Sequence, residues 1–323
     1  MNKKIVIAGG NGFIGKYLAR QFKDTGYEVF IISRQKENIQ WHDQSGIISA
    51  LENSELLINL AGKSVDCRYN EKNKTEILRS RTETTKTLGE AILKCINPPE
   101  LWLNASTATI YRHAEDRPMT ESRGEIGKGF SVDVATSWEN SFFSFQLPHT
   151  RQIAMRMAIV LGKDGGAMKP LKKLVHFGLG GKQGSGRQMV SWLHIEDLFN
   201  LILFFQSHKE LKGVFNCAAP NPIDNNTLMR TFRQKLNVKI GLPSPAWFLA
   251  IGAVIIRTET ELILKSRWVV PEKLLESGYI FKYSTIEEAL QNILENGDDK
   301  SLIAAVSRDE DFEVGRPSKK FKS

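Results

Sequence analysis

Four consecutive apolar residues, Ile5, Val6, Ile7 and Ala8, run into a glycine cluster at Gly9, and from Phe13 to Thr25 apolar positions recur at helical spacing. An unbroken apolar run predicts a strand covered on both faces, as in a parallel sheet, so this order reads as strand, tight turn, helix. The same reading predicts strands over Tyr27–Ile32, Glu55–Ala61, Leu101–Ser106 and Thr150–Leu161. It predicts helices over Glu71–Cys95, ended by Pro98 and Pro99, and over Phe130–Phe145. Gln35–Glu52 is polar and weakly patterned. Beyond Gly162 glycines punctuate short segments. A strand turning into a helix follows from Met189 to Ser207, then a strand over Gly213–Ala218 and a helix over Asn226–Leu236. After Pro243 and Pro245 the pattern is mostly helical and includes the run VVPEKLLESGYIFKY; from Asn296 it is charged and weakly patterned, a mobile tail.

Strand and helix alternating over half the chain predict an α/β fold, a Rossmann-type doubly wound parallel sheet with right-handed crossovers and a smaller C-terminal α/β substrate region. The expected division is residues 1–162 for nucleotide binding, with later segments returning to it, 163–295 for the substrate region and 296–323 for the tail. Ligands in such sheets bind beyond the carboxyl ends of the strands. There, Gly9, Gly10, Gly12 and Gly15 let the backbone turn sharply and let helix and strand pack closely, while the free amides of the first helical turn form a diphosphate site. The second strand ends in Ser33 and Arg34. Neither is the acid that would hold a free ribose 2′-hydroxyl, and a hydroxyl followed by a guanidinium suits a 2′-phosphate, so the expected cofactor is NADP (NADPH). Small residues at Ala61 and Gly62, after Leu60, suit backbone running beside it.

Composition narrows the partners. The formal charge of +8 and pI near 9.3 admit a polyanion, but no long Lys/Arg block occurs in the body, and only the tail ending Lys319, Lys320 and Lys322 clusters charge. A basic surface that attracts a phosphorylated cofactor is therefore expected, with a small-molecule substrate and no nucleic acid. Cys67, Cys95 and Cys217 are odd in number and widely separated, which argues for a reducing, cytoplasmic setting without disulfides or a metal site. No secretory signal is expected, and the longest apolar run, Ala246–Ile256, is too short to span a bilayer and is expected to be a packed helix. No membrane partner is expected, and a homodimer is allowed.

With GGNGFIG, ISR, INLAG, SRTETT, the SWE helix, MAIVLGKDGGAM, SWLHIEDL and VVPEKLLESGY in hand, the chain resembles the extended short-chain dehydrogenase/reductase superfamily. More narrowly, it resembles the epimerase-like proteins with a DUF1731-type C-terminal segment, over the stretch from the first strand to about Leu294. The resemblance implies a Rossmann domain binding NADP and a small substrate region from the C-terminal third. It places Gly9, Gly12, Phe13, Ile14 and Gly15 at the diphosphate, Ser33 and Arg34 at the adenosine phosphate, and Leu60 and Ala61 along adenine and ribose. It also brings Glu76 and Arg81 near the cofactor, a surface ion pair between the two being the alternative, and Val160 beside the nicotinamide through its backbone.

The departures concern catalysis. Active superfamily members use a Tyr-x-x-x-Lys pair in which lysine lowers the tyrosine pKa for proton exchange. Aligning on Glu139 puts Ser131 and Ala135 at those positions, and neither can substitute. Thr107 matches the superfamily's hydroxyl donor and can orient a carbonyl, and Tyr111, four residues on, is an alternative proton donor or a buried aromatic. Asp133 reads as a solvent-facing carboxylate and His194 as a structural residue at a helix start. The expected function is an NADP-binding epimerase or oxidoreductase working by another proton path, the alternative being a catalytically inactive NADP-binding structural or sensor protein.

Overall fold

Alternation within one short strand builds both layers of this protein. In β1 (Lys4–Ala8), Ile5 and Ile7 face one side of the sheet and Val6 and Ala8 the other, and all four are fully buried. The computed structural model describes residues 3–163, 165–245 and 264–295. The apolar run at 246–256 and the tail from residue 296 lie outside them.

The remaining strands are β2 (Glu28–Ser33), β3 (Ile39–Gln40), β4 (Leu56–Asn59), β5 (Leu101–Thr107), β6 (Arg151–Met157), β7 (Ile159–Gly162), β8 (Gly165–Gly166), β9 (Met189–Val190), β10 (Trp192–His194), β11 (Gly213–Cys217) and β12 (Ile223–Asp224). Seven form one sheet in the order β11-β6-β5-β4-β1-β2-β3, every pair parallel. The chain runs outward from β1 in both directions, so the crevice above the ends of β1 and β4 is the switch point where a doubly wound sheet takes its ligand.

One face is covered by α1 (Phe13–Asp24) and α6 (Ile195–Ser207), whose Leu18, Phe22, Leu201, Ile202 and Phe205 pack on Ile5, Ile7 and Leu103. The other face carries α2 (Gln44–Leu51), α3 (Glu71–Ile92) and α4 (Phe130–Phe143). There Phe142 meets Trp102 edge to face at 4.7 Å. The smaller region holds the three-stranded sheet β10-β7-β8, the pair β12-β9, α5 (Met168–His176), α7 (Asn225–Lys235) and, beyond a short α8 (Glu272–Glu276) whose Leu274 packs into the core of the large sheet beside β11, α9 (Ile286–Glu295). Its core gathers Trp192, Met229, Phe232, Tyr283 and Leu290. Through α6 and β11 the chain returns to the large sheet.

Three expectations are corrected. Gln35–Glu52 contains β3 and α2; Asp43 caps the helix by accepting from Gly46 N–H at 2.9 Å, and the helix buries Ile47, Ala50 and Leu51. The period was hidden because only three turn-spaced positions face the core. The single strand expected over Thr150–Leu161 is two, β6 in the large sheet and β7 in the small one, because Ala158 N–H turns to the Cys217 carbonyl at 3.0 Å. The long helix ends at Ile92, three residues before Cys95.

Across β5, β6 and α4 lies a buried ion pair. Arg156 donates Nε and Nη2 to the two oxygens of Glu139 at 2.8 and 2.7 Å, and Ser106 Oγ donates to the same carboxylate at 2.5 Å. Glu139→Ala would leave a guanidinium unpaired in a nearly dry site, an expected loss of about 3–5 kcal/mol in urea unfolding. Glu139→Gln, which keeps an acceptor, should lose less.

Candidate functional site

Two glycines shape the turn after β1 by excluding side chains. Gly9 holds φ at +78°, and a Cβ there would sit 2.8 Å from the backbone of Leu60 and Ala61. A Cβ on Gly15 would meet Gly10 Cα at 2.6 Å, so α1 can approach the turn this closely only with no side chain at Gly15, while a Cβ on Gly10 would meet Ile31 Cγ2 of β2 at 2.8 Å. Gly12 differs, because a Cβ there would meet nothing nearer than the Gly9 carbonyl at 3.7 Å. The protein's own packing does not require that glycine, so the space in front of it is left for something else.

Gly12 is the N-cap of α1 and offers no side-chain cap; the first intrahelical bond is Lys16 N–H to the Gly12 carbonyl at 2.9 Å. The amides of Phe13, Ile14 and Gly15 precede it and are the helix's open donors. They face a cavity of about 350 Å³, to which Gly12, Phe13, Ile14, Gly15 and Leu60 contribute one end. An anionic group with several oxygens fits that end on geometry and on the helix dipole alike.

Around this floor the expected residues fall into two groups. Ser33 is buried and accepts from Asn11 Nδ2 at 2.7 Å, Asn38 Nδ2 at 2.9 Å and Gln35 N–H at 3.0 Å, so it ties the β1 turn to the end of β2. Arg34 beside it is exposed. Ala61 N–H is turned back to Asn59 Oδ1 at 3.1 Å, and Gly62 leaves room for Arg81, whose guanidinium carbon would stand 3.0 Å from a Cβ there.

Arg81 donates to the Ile77 and Lys63 carbonyls at 3.0 and 3.1 Å, lies 5.1 Å over the Trp138 ring and lines the cavity. Burial pushes its pKa down to about 10, with the Tyr69 phenol opposing the shift, so it stays a cation at neutral pH and raises the positive potential of the cavity. Glu76 turns the other way. It is exposed, pairs with Lys63, and that partner holds its carboxyl below the usual range.

At the far end Thr107 lines the cavity and its Oγ1 accepts from Thr109 N–H at 3.1 Å. Ser131 and Ala135 of α4 both line the same wall. Tyr111 lies elsewhere. It is 2% exposed, donates to Asn216 Oδ1 at 2.9 Å and accepts from Arg156 Nη1 at 2.9 Å. Burial raises its pKa against the opposing pull of Arg156, and it is absent from the cavity wall; the expectation of a proton donor is therefore corrected to a buried strut. Val160 is held in β7 opposite Leu193 and is also away from that wall.

Sequence reasoning missed Tyr69, Phe130 and Trp138. Tyr69 and Phe130 meet edge to face at 4.9 Å at the cavity, brought together from distant points of the chain that no local period connects. Trp138 donates Nε1 to Thr85 Oγ1 at 3.0 Å, and that hydroxyl also accepts from Asn59 Nδ2 at 3.1 Å, which joins α4, α3 and the end of β4 under the cavity.

Residues 5–128 match the NAD dependent epimerase/dehydratase family, and residues 244–293 match a domain of unknown function, DUF1731. The bovine epimerase family protein SDR39U1 is 31% identical over 300 residues, 90% of this chain and 99% of that one. The chain belongs to the epimerase family. The Bacillus subtilis epimerase family protein YfhF is likewise 31% identical, over 90% of this chain and 97% of its own. The crystal structure of human SDR39U1 with NADPH superposes with a TM-score of 0.81 at 31% identity, covering 91% of this chain and all of that one. This epimerase-family chain thus carries the extended short-chain dehydrogenase/reductase architecture that the motifs implied. Among the described residues no helix is long and apolar enough to cross a membrane, and no cluster of metal-ligating side chains occurs.

His194, at the start of α6, caps the helix by accepting from Glu196 N–H at Nδ1 (3.1 Å), while its ring lies 3.9 Å from that of Tyr283. The structural role expected for it is the one observed. Burial lowers its pKa from 6.5 to about 4, opposed by Glu196. A histidine depressed in the folded state contributes in full above about pH 6.5, and that contribution is lost as pH falls towards 4 because the unfolded chain takes the proton first. Stability should therefore drop by up to about 3 kcal/mol across that window. His194→Asn, which can still cap, should flatten the drop in urea titrations at graded pH.

Proposed function

We propose that this protein is an NADP-dependent oxidoreductase or epimerase of the extended short-chain dehydrogenase/reductase type, acting on a small carbonyl or sugar-like substrate without a Tyr-x-x-x-Lys pair. The observation that carries the reading is the space kept in front of Gly12 beside three open amides, with Arg81 close by. The NADPH present in the crystal structure of the human relative agrees with it.

In this reading Gly9 and Gly12 keep the turn clear, and the amides of Phe13, Ile14 and Gly15 hold the diphosphate. Arg34 meets the 2′-phosphate beside the Ser33 hub, and Leu60, Ala61 and Gly62 run beside adenine and ribose. Arg81 adds charge from α3, and Glu76 fixes Lys63 by an exposed ion pair beside the end of β4. NADP, when bound, supplies a hydride acceptor or donor. Thr107 orients the substrate carbonyl by a hydrogen bond, since a neutral hydroxyl is a positioning donor and too weak an acid to supply the proton itself. Proton exchange then passes through solvent or another cavity group.

Ser131 and Ala135 on the cavity wall favour a second reading, in which NADP is held and chemistry is lost. The two separate in one set of measurements. NADPH should raise the melting temperature more than NADH does, and Gly12→Val should abolish that rise without lowering the melting temperature of the free protein. Arg34→Ala should reduce the preference for NADPH by about tenfold. If a panel of carbonyl and sugar-nucleotide compounds oxidises NADPH, Thr107→Ala should slow turnover at unchanged cofactor affinity; if none does, the binding reading stands. Absence of any shift with NADPH would overturn both.

A further inference from the structure

The positive charge of this chain is unevenly placed. Residues 165–194 and 225–245 together contain nine Lys and Arg and no Asp or Glu, more than the formal +8 of the whole chain. These are the stretches that build α5, α7 and the loops between the two small sheets. No single run of them is long, so the concentration emerges only when the fold sets the stretches side by side. Leu242 N–H donates to the Gly178 carbonyl at 2.7 Å, Gly181 N–H donates to the Leu242 carbonyl at 3.1 Å, and Ser244 N–H donates to the Lys182 carbonyl at 2.9 Å.

On this basic region three large apolar side chains stand out in water. Phe177 is 79% exposed, Ile240 66% and Leu242 58%. They are neighbours, for Ile240 Cγ2 lies 4.0 Å from where a Cβ of Gly178 would be, and Leu242 is hydrogen-bonded to Gly178 itself. Lys173 is one helical turn before Phe177, Lys239 precedes Ile240, and both are exposed, as are Lys169 and Lys182. Exposed apolar tips with exposed lysines beside them in the chain and no acid in either stretch have the make-up of a surface that gains free energy where anionic charge and an apolar medium meet.

We infer that this face of the C-terminal region docks reversibly on an anionic lipid surface, with Phe177, Ile240 and Leu242 entering the headgroup boundary and the surrounding lysines meeting lipid phosphates. A nucleic acid would satisfy the charge but leave Ile240 and Leu242 without a partner, since recognition of bases relies on aromatic stacking and polar edges. A second copy of the chain would satisfy the apolar tips, but a two-fold contact there would press the exposed lysines beside them against their own image. Lipid answers both features. The mode is peripheral and adds to the absence of a spanning helix among the described residues. It is independent of the cofactor reading, because none of these residues lines the cavity at Gly12.

The test is co-sedimentation of the full chain with vesicles of phosphatidylcholine alone and with a third of phosphatidylglycerol, at low and physiological salt, with light scattering of the free protein. The expected result is retention on the anionic vesicles only, weakened by salt. Lys169→Glu with Lys173→Glu should lose about fivefold or more per lysine. Phe177→Ser with Ile240→Ser and Leu242→Ser should lose about tenfold at an unchanged melting temperature, which keeps a folding defect apart from a docking defect. Equal retention on both vesicles, no retention, or equal retention of wild type and both variants would overturn the inference. So would a dimer in solution that the triple variant makes monomeric, or retention on RNA or DNA that exceeds retention on lipid.

Discussion

The contact on which the site depends is the approach of α1 to the turn after β1, where Gly15 stands against Gly10 with no room for a single carbon between them. That approach aims three unsatisfied amides past the end of the sheet instead of along it. Gly9, at a positive φ and pressed on Leu60 and Ala61, brings the end of β4 to the same place, so the two halves of the sheet part above the amides. A crevice with fixed donors then follows from covalent geometry and close packing, before any charged side chain is considered.

Polar groups buried beneath the crevice hold its walls at set positions. The hydroxyl of Thr85 accepts from both Trp138 and Asn59, and Asn59 in turn reaches Asn104 at 2.7 Å, so α3, α4, β4 and β5 are registered by directional bonds where apolar packing alone would tolerate slippage. One layer away, Glu139 takes Arg156 and Ser106 while Tyr111 closes the other side of Arg156. Ser131 and Ala135 of α4 line the cavity, and Arg81, stacked on Trp138 from the facing helix, supplies it with a cation from a different element.

Charge is distributed to match the two regions. Around the large sheet acids and bases are interleaved in partly exposed pairs such as Arg112 with Asp116 and Glu125, which contribute little individually to stability. The smaller region has two long stretches without acids. A surface of one sign costs stability through self-repulsion, and this one also carries the exposed side chains of Phe177, Ile240 and Leu242.

Much of this was legible from the linear chain. A run such as Ile5–Ala8 bounded by glycines reads as a buried strand, glycines at fixed offsets suit a turn and a close contact, and these local constraints carried the Rossmann order and the tight turn before α1. Local pattern failed where a residue's role depends on what lies across the fold. Tyr111 belongs to Asn216 and Arg156, Arg81 to Trp138, Glu76 to Lys63, and Tyr69 to Phe130. The split of β6 from β7 at Ala158 was set by a carbonyl on β11. Tertiary structure alone decided these, because a side chain's partner is chosen by distance in space, and strands and helices far apart in sequence become neighbours only when burial of their apolar faces brings them together.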